Sequence, residues 1–497
     1  MTRRAPTATL VVLALLGFGC TKPPEPAPAD EHAEPSPSPT EAPRPRGLRP
    51  GGDTTVALGP SPSFVVPAAN LTDTQKSNFY AGKALTTQPW IRAPTTTDAR
   101  DGLGPLYHAR SCLACHVKGG RGQAANAKSS LATLVRLSLP GAGPHGEPLP
   151  DPTYGTQFQP QSTALAHQVR GQAGADAYED EGAPPEGDVR IQWTKRPFSY
   201  PDGATLDLRM PSLELTNVRY GSLAEETRAS LRHTPALLGM GLLELVEQSS
   251  IDALADPEDE NGDGVSGRVN QVWDPESKSR RPGRFGLKAN QPSLRVQIAA
   301  ALAGDMGLSS PVFPEQPCTE AQARCNAAPN GNDADGFEVP DDLLRLMTFS
   351  VMSAGVPERR KPDNPTVLRG QTLFEDSGCA ACHTPHFVTA RDPAFPHLSA
   401  QDIWPYTDLL LHDMGPDLSD GREDFGASAS EWRTPPLWGA GLARAMHERV
   451  GFLHDGRAQS IEEAIVWHDG EARRSRDHFA ALPAKDRRAL VAFVRSL

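Results

Sequence analysis

The chain has no excess of basic residues. Its 49 lysines and arginines are outnumbered by 61 aspartates and glutamates, which gives a formal net charge of -12. Proteins that bind nucleic acids neutralise phosphates with clustered Lys and Arg, so this balance argues against a nucleic-acid partner. The charged content of 22% describes a soluble, mildly acidic surface.

Residues 1–19 have the features of an export signal, because a positively charged start is followed by an apolar run. The run, Leu10 to Leu16, is too short to cross a bilayer. Gly19-Cys20 resembles a lipoprotein cleavage site, after which Cys20 becomes the acylated first residue. The alternative is a plain secretory signal. We expect a periplasmic protein that contacts a membrane only through this lipid anchor.

Large apolar side chains are almost absent between Cys20 and Leu48, where Pro, Ala, Glu and Ser dominate. Such a composition cannot bury enough surface to offset the entropy of ordering. We therefore predict a Pro-rich tether over residues 20–70. A chain of 497 residues exceeds one ordinary domain, so we place an N-terminal domain with insertions at 71–350 and a C-terminal domain at 351–497.

Cysteine is scarce, and its spacing carries the strongest signal. Of seven cysteines, four lie in two CxxCH motifs. In this motif the two thiols form thioethers with haem vinyl groups, and the histidine ligates the iron. We therefore predict two covalently bound haems c. The attachment residues are Cys112, Cys115, Cys379 and Cys382, and the proximal iron ligands are His116 and His383.

A zinc site is the alternative use of two CxxC pairs. The cysteine pairs of a structural zinc site usually lie tens of residues apart, whereas these begin at Cys112 and Cys379. The spacing therefore favours haem. The remaining pair, Cys318 and Cys325, lies in a loop rich in Pro and Asn and predicts a disulfide, which suits an oxidising compartment.

The body is expected to be mainly α, with two cytochrome c-like haem domains and long irregular loops. Apolar residues at every fourth position from Leu294 to Met306 predict one helix, and those from Leu490 to Leu497 predict another. A capping box at Ser460 predicts a helix that starts at Ile461 and places His468 on its apolar face.

One internal repeat is visible. The pattern Thr-Pro-x-Leu-x-Gly-x-Gly-Leu occurs at residues 234–242 and again at 434–442, each copy after a CxxCH motif. A duplicated haem module explains both copies. Chance similarity between loops rich in Gly and Pro is the alternative.

Five segments together resemble the bacterial di-haem oxidoreductase family, whose members are often labelled peroxidases or thiol oxidoreductases. The resemblance covers about residues 71 to 497, and its layout is distantly similar to that of di-haem cytochrome c peroxidases. The segments are residues 102–106, 283–290, 406–416, 432–438 and 452–458.

The resemblance implies a sixth ligand for the second haem in the last turn of the helix after Ser460. The matching position here is His468, where peroxidases tend to carry methionine, and Met414 is the second choice. No distal histidine stands at the short offset that peroxidases show after the first CxxCH. The first iron is therefore either open to a substrate or ligated by a distant residue such as His233, Met240 or Met306.

A calcium site is a further expectation. Asp259, Asn261 and Asp263 supply oxygen atoms at alternate positions before Gly264, as in the first half of a calcium loop. The twelfth position is Asn270, where such loops carry Glu. A turn rich in Asp, Asn and Gly is the equally good alternative.

We expect an oxidoreductase that takes electrons through the C-terminal haem, from a donor protein or the quinol pool, and uses the N-terminal haem on a small oxidant. Hydroperoxide is the substrate that the resemblance implies. The alternatives are a di-haem electron carrier without enzymatic activity, and a haem-dependent oxidase or oxygenase of a protein or organic partner. A six-coordinate iron at both sites favours the carrier, whereas one open iron favours an enzyme.

Overall fold

A computed structural model describes residues 47–59, 62–96, 100–125, 131–164 and 182–497. The export signal, Cys20 and the first part of the tether lie outside these residues. These described residues form a single unit. No helix of the described residues is long and apolar enough to cross a membrane.

The expectation of a mainly α fold with two cytochrome c-like domains is wrong, because helices make up 29% of the described residues and strands 20%, in several small sheets. Many of the strands lie between the CxxCH motifs. There, apolar residues alternate with polar ones, as at Val189, Ile191 and Trp193. A period of two places one face of a strand on a core and the other in water. Such segments therefore form strands where irregular loops were expected.

Twelve helices and a set of short 3-10 turns occur in the described residues. The helices are α1 Asp73–Thr87, α2 Cys112–Cys115, α3 Met240–Glu244, α4 Gln248–Asp252, α5 Leu294–Met306, α6 Ala323–Asn326, α7 Asp341–Met352, α8 Pro365–Asp376, α9 Ala443–Met446, α10 Ile461–Val466, α11 Arg473–Ala481 and α12 Ala484–Ser496. The 3-10 turns are Gly52–Thr54, Val117–Gly119, Cys379–Ala381, Pro396–Leu398, Pro416–Leu418, Ala440–Leu442 and Gly470–Ala472.

Every sheet of the described residues is antiparallel and small. The strands are β1 Leu106–Tyr107, β2 Thr133–Ala142, β3 Pro148–Leu149, β4 Gln157–Phe158, β5 Gln161–Ser162, β6 Asp188–Ser199, β7 Thr205–Thr216, β8 Arg228–His233, β9 Gln271–Asp274, β10 Ser279–Pro282, β11 Phe387–Val388, β12 Asp402–Ile403, β13 Leu411–Asp413 and β14 Glu431–Arg433. β2 pairs with β3, β4 and β8, and the remaining pairs are β1 with β5, β6 with β7, β9 with β10, β11 with β12 and β13 with β14.

Two helix pairs share one construction, since α1 packs against α7 and α8 packs against α12. In each pair a glycine lies at the contact. A Cβ on Gly82 would collide with the carbonyl of Leu346, and a Cβ on Gly370 with that of Ala489. A backbone carbonyl cannot move aside as a flexible side chain can, so both contacts require glycine. A CxxCH motif follows the first helix of each pair.

Both predicted apolar stripes are confirmed. In α5, Leu294, Leu302 and Met306 are buried, and Ser293 caps the helix by accepting a hydrogen bond from the backbone N–H of Val296. In α12, the buried residues include Leu490 and Phe493. The predicted disulfide between Cys318 and Cys325 is also present.

The internal repeat packs against itself. Trp438 donates a hydrogen bond from Nε1 to the carbonyl of Leu238 at 3.1 Å, and these two residues hold equivalent positions in the copies. The next residues, Gly239 and Gly439, both adopt positive φ, at 64° and 72°. Contact between equivalent residues favours a duplicated module over chance similarity.

The described part of the predicted tether lies against the body. Phe64 is 2% exposed, and Gly51 and Val56 form β-bridges with Ile403 and Pro357. Packed chain therefore begins before Leu71, the residue where the body was expected to start.

The hairpin of β6 and β7 reaches the C-terminal part of the protein. Tyr200, between the two strands, and Leu208 belong to the same buried cluster as Trp467 and Phe493. The Tyr200 hydroxyl donates a hydrogen bond to Glu462 Oε1 at 2.9 Å. The hairpin thus covers the region that follows the second CxxCH motif.

Candidate haem sites

The first CxxCH motif forms α2, a single helical turn. Cys112 and Cys115 are free and partly buried. Burial raises the pKa of Cys112 to about 12 and also raises that of Cys115, and the charge of Asp305 adds to both shifts.

The second motif lies on the 3-10 turn Cys379–Ala381, where Cys379 and Cys382 are also free. Among the described residues, one group of three His, Cys, Asp or Glu side chains has ligand atoms within 4.8 Å of one another, and it consists of Cys382, Asp408 and His412. The two CxxC pairs therefore do not combine into the four-thiol zinc site that was considered as an alternative.

Both motif histidines are oriented by a backbone carbonyl. His116 Nδ1 lies 2.8 Å from the carbonyl oxygen of Pro235, and His383 Nδ1 lies 3.0 Å from that of Tyr406. A carbonyl only accepts, so each Nδ1 is the donor and each Nε2 keeps its lone pair. Burial lowers the pKa of His116 and lowers that of His383 to about 4. Two neutral imidazoles with a free Nε2 are what iron ligation requires.

His468 lies beside the second motif, although α10 ends at Val466. Its Nδ1 lies 2.7 Å from the carbonyl oxygen of Ala464, and its charge influences the pKa of His383. Burial lowers the pKa of His468 itself. No hydrogen bond of its Nε2 is present among the described residues, which leaves that lone pair available to a metal.

Met414 lies on the adjacent segment. It is partly buried and packs against the same cluster as Cys379 and Trp467. The backbones of Gly415 and Gly470 approach so closely that a Cβ on Gly415 would lie 2.9 Å from the Gly470 nitrogen. The structure thus brings both predicted sixth ligands to the second motif.

His412 is one of several histidines available as a sixth ligand in the sequence, which gives it no specific role. Its Nε2 lies 2.7 Å from Asp408 Oδ2, its Nδ1 lies 2.7 Å from Glu471 Oε2, and Cys382 Sγ lies 3.6 Å away. Burial alone lowers the pKa of His412, but the bonds to the two carboxylates outweigh it and raise the value to about 12. His412 is therefore a buried imidazolium beside an attachment cysteine. The spacing of four between Asp408 and His412, within the segment 406–416, was the sequence signal that could have indicated this pair.

The three distant candidates for the first iron have different surroundings. His233 uses both ring nitrogens, with Nδ1 3.0 Å from Thr133 Oγ1 and Nε2 3.0 Å from the Gly122 carbonyl. Met240 lies in a separate apolar cluster. Met306 lies in the cluster against which Cys112 packs. For none of the three does the structure show a nitrogen or sulfur atom oriented to bind the iron.

A group of polar side chains lies beside the first motif. Gln157 Nε2 donates to Asp305 Oδ1 at 3.0 Å, and Gln159 Nε2 donates to the Gly304 carbonyl at 2.6 Å. The amide oxygens of both glutamines and His108 Nδ1 are buried without a hydrogen-bond partner in the described part of the chain. An unpartnered buried polar atom is costly, typically by about 1–3 kcal/mol, so these atoms indicate a polar ligand that occupies the site.

The residues at both motifs fit a covalently bound haem. Each motif supplies two thiols and an oriented imidazole. Beside the second motif, Trp467 Nε1 and Ser377 Oγ are buried with no partner among the described residues. Such donors suit the polar edge of a haem, whose propionates accept hydrogen bonds.

The predicted calcium residues stabilise their own loop. Asp259 accepts the N–H of Gly264 at 3.1 Å, and Asp263 accepts that of Val265 at 2.9 Å. Asn261 likewise accepts the N–H of Asp263, at 2.8 Å. These bonds are those of a turn rich in Asp and Asn, and calcium binding stays a prediction.

One comparison with known proteins identifies a family. The sequence profile of the family described as "Di-haem oxidoreductase, putative peroxidase" matches residues 47–497. No curated protein and no solved structure matches the chain significantly.

Proposed function

The chain belongs to the di-haem oxidoreductase family, and from this premise we propose that it is a periplasmic c-type cytochrome that reduces a small oxidant. Electrons enter through the haem at Cys379 and Cys382, from a donor protein or the quinol pool. The reaction takes place at the haem attached to Cys112 and Cys115. Hydroperoxide is the proposed substrate.

The difference between the two sites is the observation that carries this proposal. The second motif is accompanied by His468, a partly buried imidazole with a free Nε2. The first motif is accompanied by Asp305 and by the unpartnered amide oxygens of Gln157 and Gln159. A site with two imidazoles favours electron transfer, whereas a site with unpartnered polar atoms favours chemistry on a polar ligand.

A haem held by Cys112, Cys115 and His116 would supply electrons one at a time to the oxidant. The protein supplies the proton handling. Reduction of a hydroperoxide to an alcohol and water consumes two electrons and two protons. The Asp305 carboxylate takes the hydroperoxide proton and returns it to the departing oxygen. Gln157 Nε2 holds Asp305 Oδ1 in place, and the two free amide oxygens accept hydrogen bonds from the substrate O–H or the product water.

The electron-carrier alternative predicts that both irons are six-coordinate. The ferric spectrum tests this directly, because an open first iron contributes a high-spin component and two filled irons are purely low-spin. We expect a mixed spectrum and turnover of hydroperoxide with a reduced donor. A purely low-spin spectrum without turnover would favour the carrier, and turnover limited to a protein or organic substrate would favour the oxidase.

Covalent attachment can be tested by stoichiometry. Replacing Cys112 and Cys115 together by Ala should halve the haem that remains with the polypeptide after acid-acetone extraction, because both thioethers of one haem are removed. Replacing Cys318 and Cys325 by Ala is the control, since these form the disulfide. An unchanged haem content in the first variant would contradict the assignment.

The location is proposed from the export signal and Cys20. An acylated residue followed by a long Pro-rich spacer leaves the body free above the membrane. Cys20→Ser should move the protein from the membrane fraction to the soluble fraction, which immunoblotting of fractionated cells measures. Wild-type protein that is already soluble and carries no acyl chain would contradict the tether.

A further inference from the structure

Arg121 is a buried cation without a counter-ion. Its Nη1 is buried and has no hydrogen-bond partner, and no ion pair of this residue is present among the described residues. The contact that remains is with an aromatic ring, because the guanidinium carbon lies 5.5 Å from the centre of the Phe452 ring. Burial lowers the pKa of Arg121 to about 10, and no neighbouring carboxylate opposes that shift.

Two other buried arginines of this protein have carboxylate partners. Arg232 pairs with Asp420 at 2.6 Å, and Arg457 Nε donates to Asp455 at 2.8 Å. A buried charge that lacks a partner strongly destabilises the folded protein, because its lost hydration is not replaced. The lack of a carboxylate at Arg121 therefore indicates that an anion from outside the polypeptide completes the site.

The position of Arg121 identifies that anion. It follows the first CxxCH motif by five residues, and the neighbouring Gly122 carbonyl lies 3.0 Å from His233 Nε2. The charges of Arg121 and His116 both lower the pKa of His233. The guanidinium thus lies in the surroundings of the first iron ligand. A haem bound there brings two carboxylates of its own, and guanidinium groups bind carboxylates through two parallel hydrogen bonds.

We propose that Arg121 binds a propionate of the haem attached to Cys112 and Cys115. This inference rests on the proposed haem attachment. In this proposal, Arg121 alone neutralises negative charge at the edge of the reactive haem. A cation beside the haem stabilises the reduced form over the more positively charged oxidised form, so Arg121 also raises the reduction potential of this haem.

Redox titration of the full-length holoprotein tests the proposal. Arg121→Gln should lower the midpoint potential of one haem and leave the other unchanged, with two haems still attached by the pyridine haemochrome assay. Resonance Raman spectra should show a shift of a propionate bending band of the same haem. Arg121→Lys keeps the charge but loses the paired hydrogen bonds, so the Raman band should shift while most of the potential is retained.

Arg360→Gln is the matched control. Arg360 also has an unpartnered buried Nη1 and a pKa lowered by burial to about 10, but its Nη2 contacts the Arg495 carbonyl beside α12. This variant should leave both potentials and the Raman bands unchanged.

Three outcomes would overturn the proposal. The first is an unchanged potential and Raman band in Arg121→Gln. The second is a wild-type potential that follows added chloride or phosphate, which would identify a free anion as the counter-ion. If Arg121→Gln does not fold, infrared difference spectra of wild-type protein with isotope-labelled haem propionates test the proposal instead. Propionate carboxylates without hydrogen bonds are the third contradicting outcome. A haem count below two would instead contradict the proposed function.

Discussion

Asp305→Asn is expected to lower kcat/KM for hydroperoxide by about 100-fold to 10,000-fold, the range that general acid–base groups contribute. An amide can accept the bond from Gln157 Nε2 but cannot take up a proton. Because the substitution keeps the size of the side chain, both haems should stay attached and the ferric spectrum should stay unchanged. Steady-state assays with a reduced donor measure the effect.

Asp274→Asn is the control for this experiment. Asp274 is a buried aspartate that accepts hydrogen bonds from Glu276 and Ser277 in the turn after β9. Its substitution should leave turnover within about twofold, as expected for a residue outside the reaction. Equal losses in both variants would show that Asp305 acts through stability. Full activity of Asp305→Asn would remove its proposed role in proton transfer.

His468→Ala is expected to convert one haem completely from low spin to high spin. The reason is geometric, since the Ala464 carbonyl holds His468 Nδ1 at 2.7 Å and the free Nε2 remains for the iron of the second haem. Alanine offers no ligand, and the iron then keeps only His383. Electron paramagnetic resonance of the ferric protein distinguishes the two states. Electron transfer to the first haem should slow in the same variant.

Met414→Ala is the comparison that separates the two candidate ligands. Met414 packs against the cluster that contains Trp467, but no polar contact orients its sulfur among the described residues. Its removal should leave the spin state unchanged. A spin change with Met414→Ala and none with His468→Ala would assign the iron to His383 and Met414, which implies a higher reduction potential.

The strand content was the part of the fold that sequence reasoning missed. Alternating residues in β6, such as Val189 and Ile191, and Asp202-Gly203 between β6 and β7 were readable signals of a hairpin. A CxxCH motif is typical of a helical domain, and this expectation conflicts with the hairpin signals. What the sequence could not show is that this hairpin packs on the C-terminal cluster, where Tyr200 contacts Glu462.

The polar group beside the first CxxCH motif was also missed. Asp305 lies at the end of α5, and Gln157 and Gln159 lie on or beside β4, so neither sequence spacing nor periodicity relates them. What relates them is a hydrogen bond in the folded protein between Gln157 and Asp305, which are 148 positions apart. In contrast, the burial of Met306, the residue after Asp305, could be predicted because it continues an apolar stripe, and a stripe is a local pattern.

The sequence by itself determined the two CxxCH motifs, the disulfide and the two stripes of α5 and α12, because each depends on residues within one loop or helix. Only the tertiary structure decided what surrounds each iron ligand. The carbonyl that orients His116 belongs to Pro235, 119 positions away, and that of His383 belongs to Tyr406. Spacing along the chain specifies which groups can react, whereas packing between distant segments removes water and sets which nitrogen is protonated. The difference between the two sites therefore exists only in the folded protein.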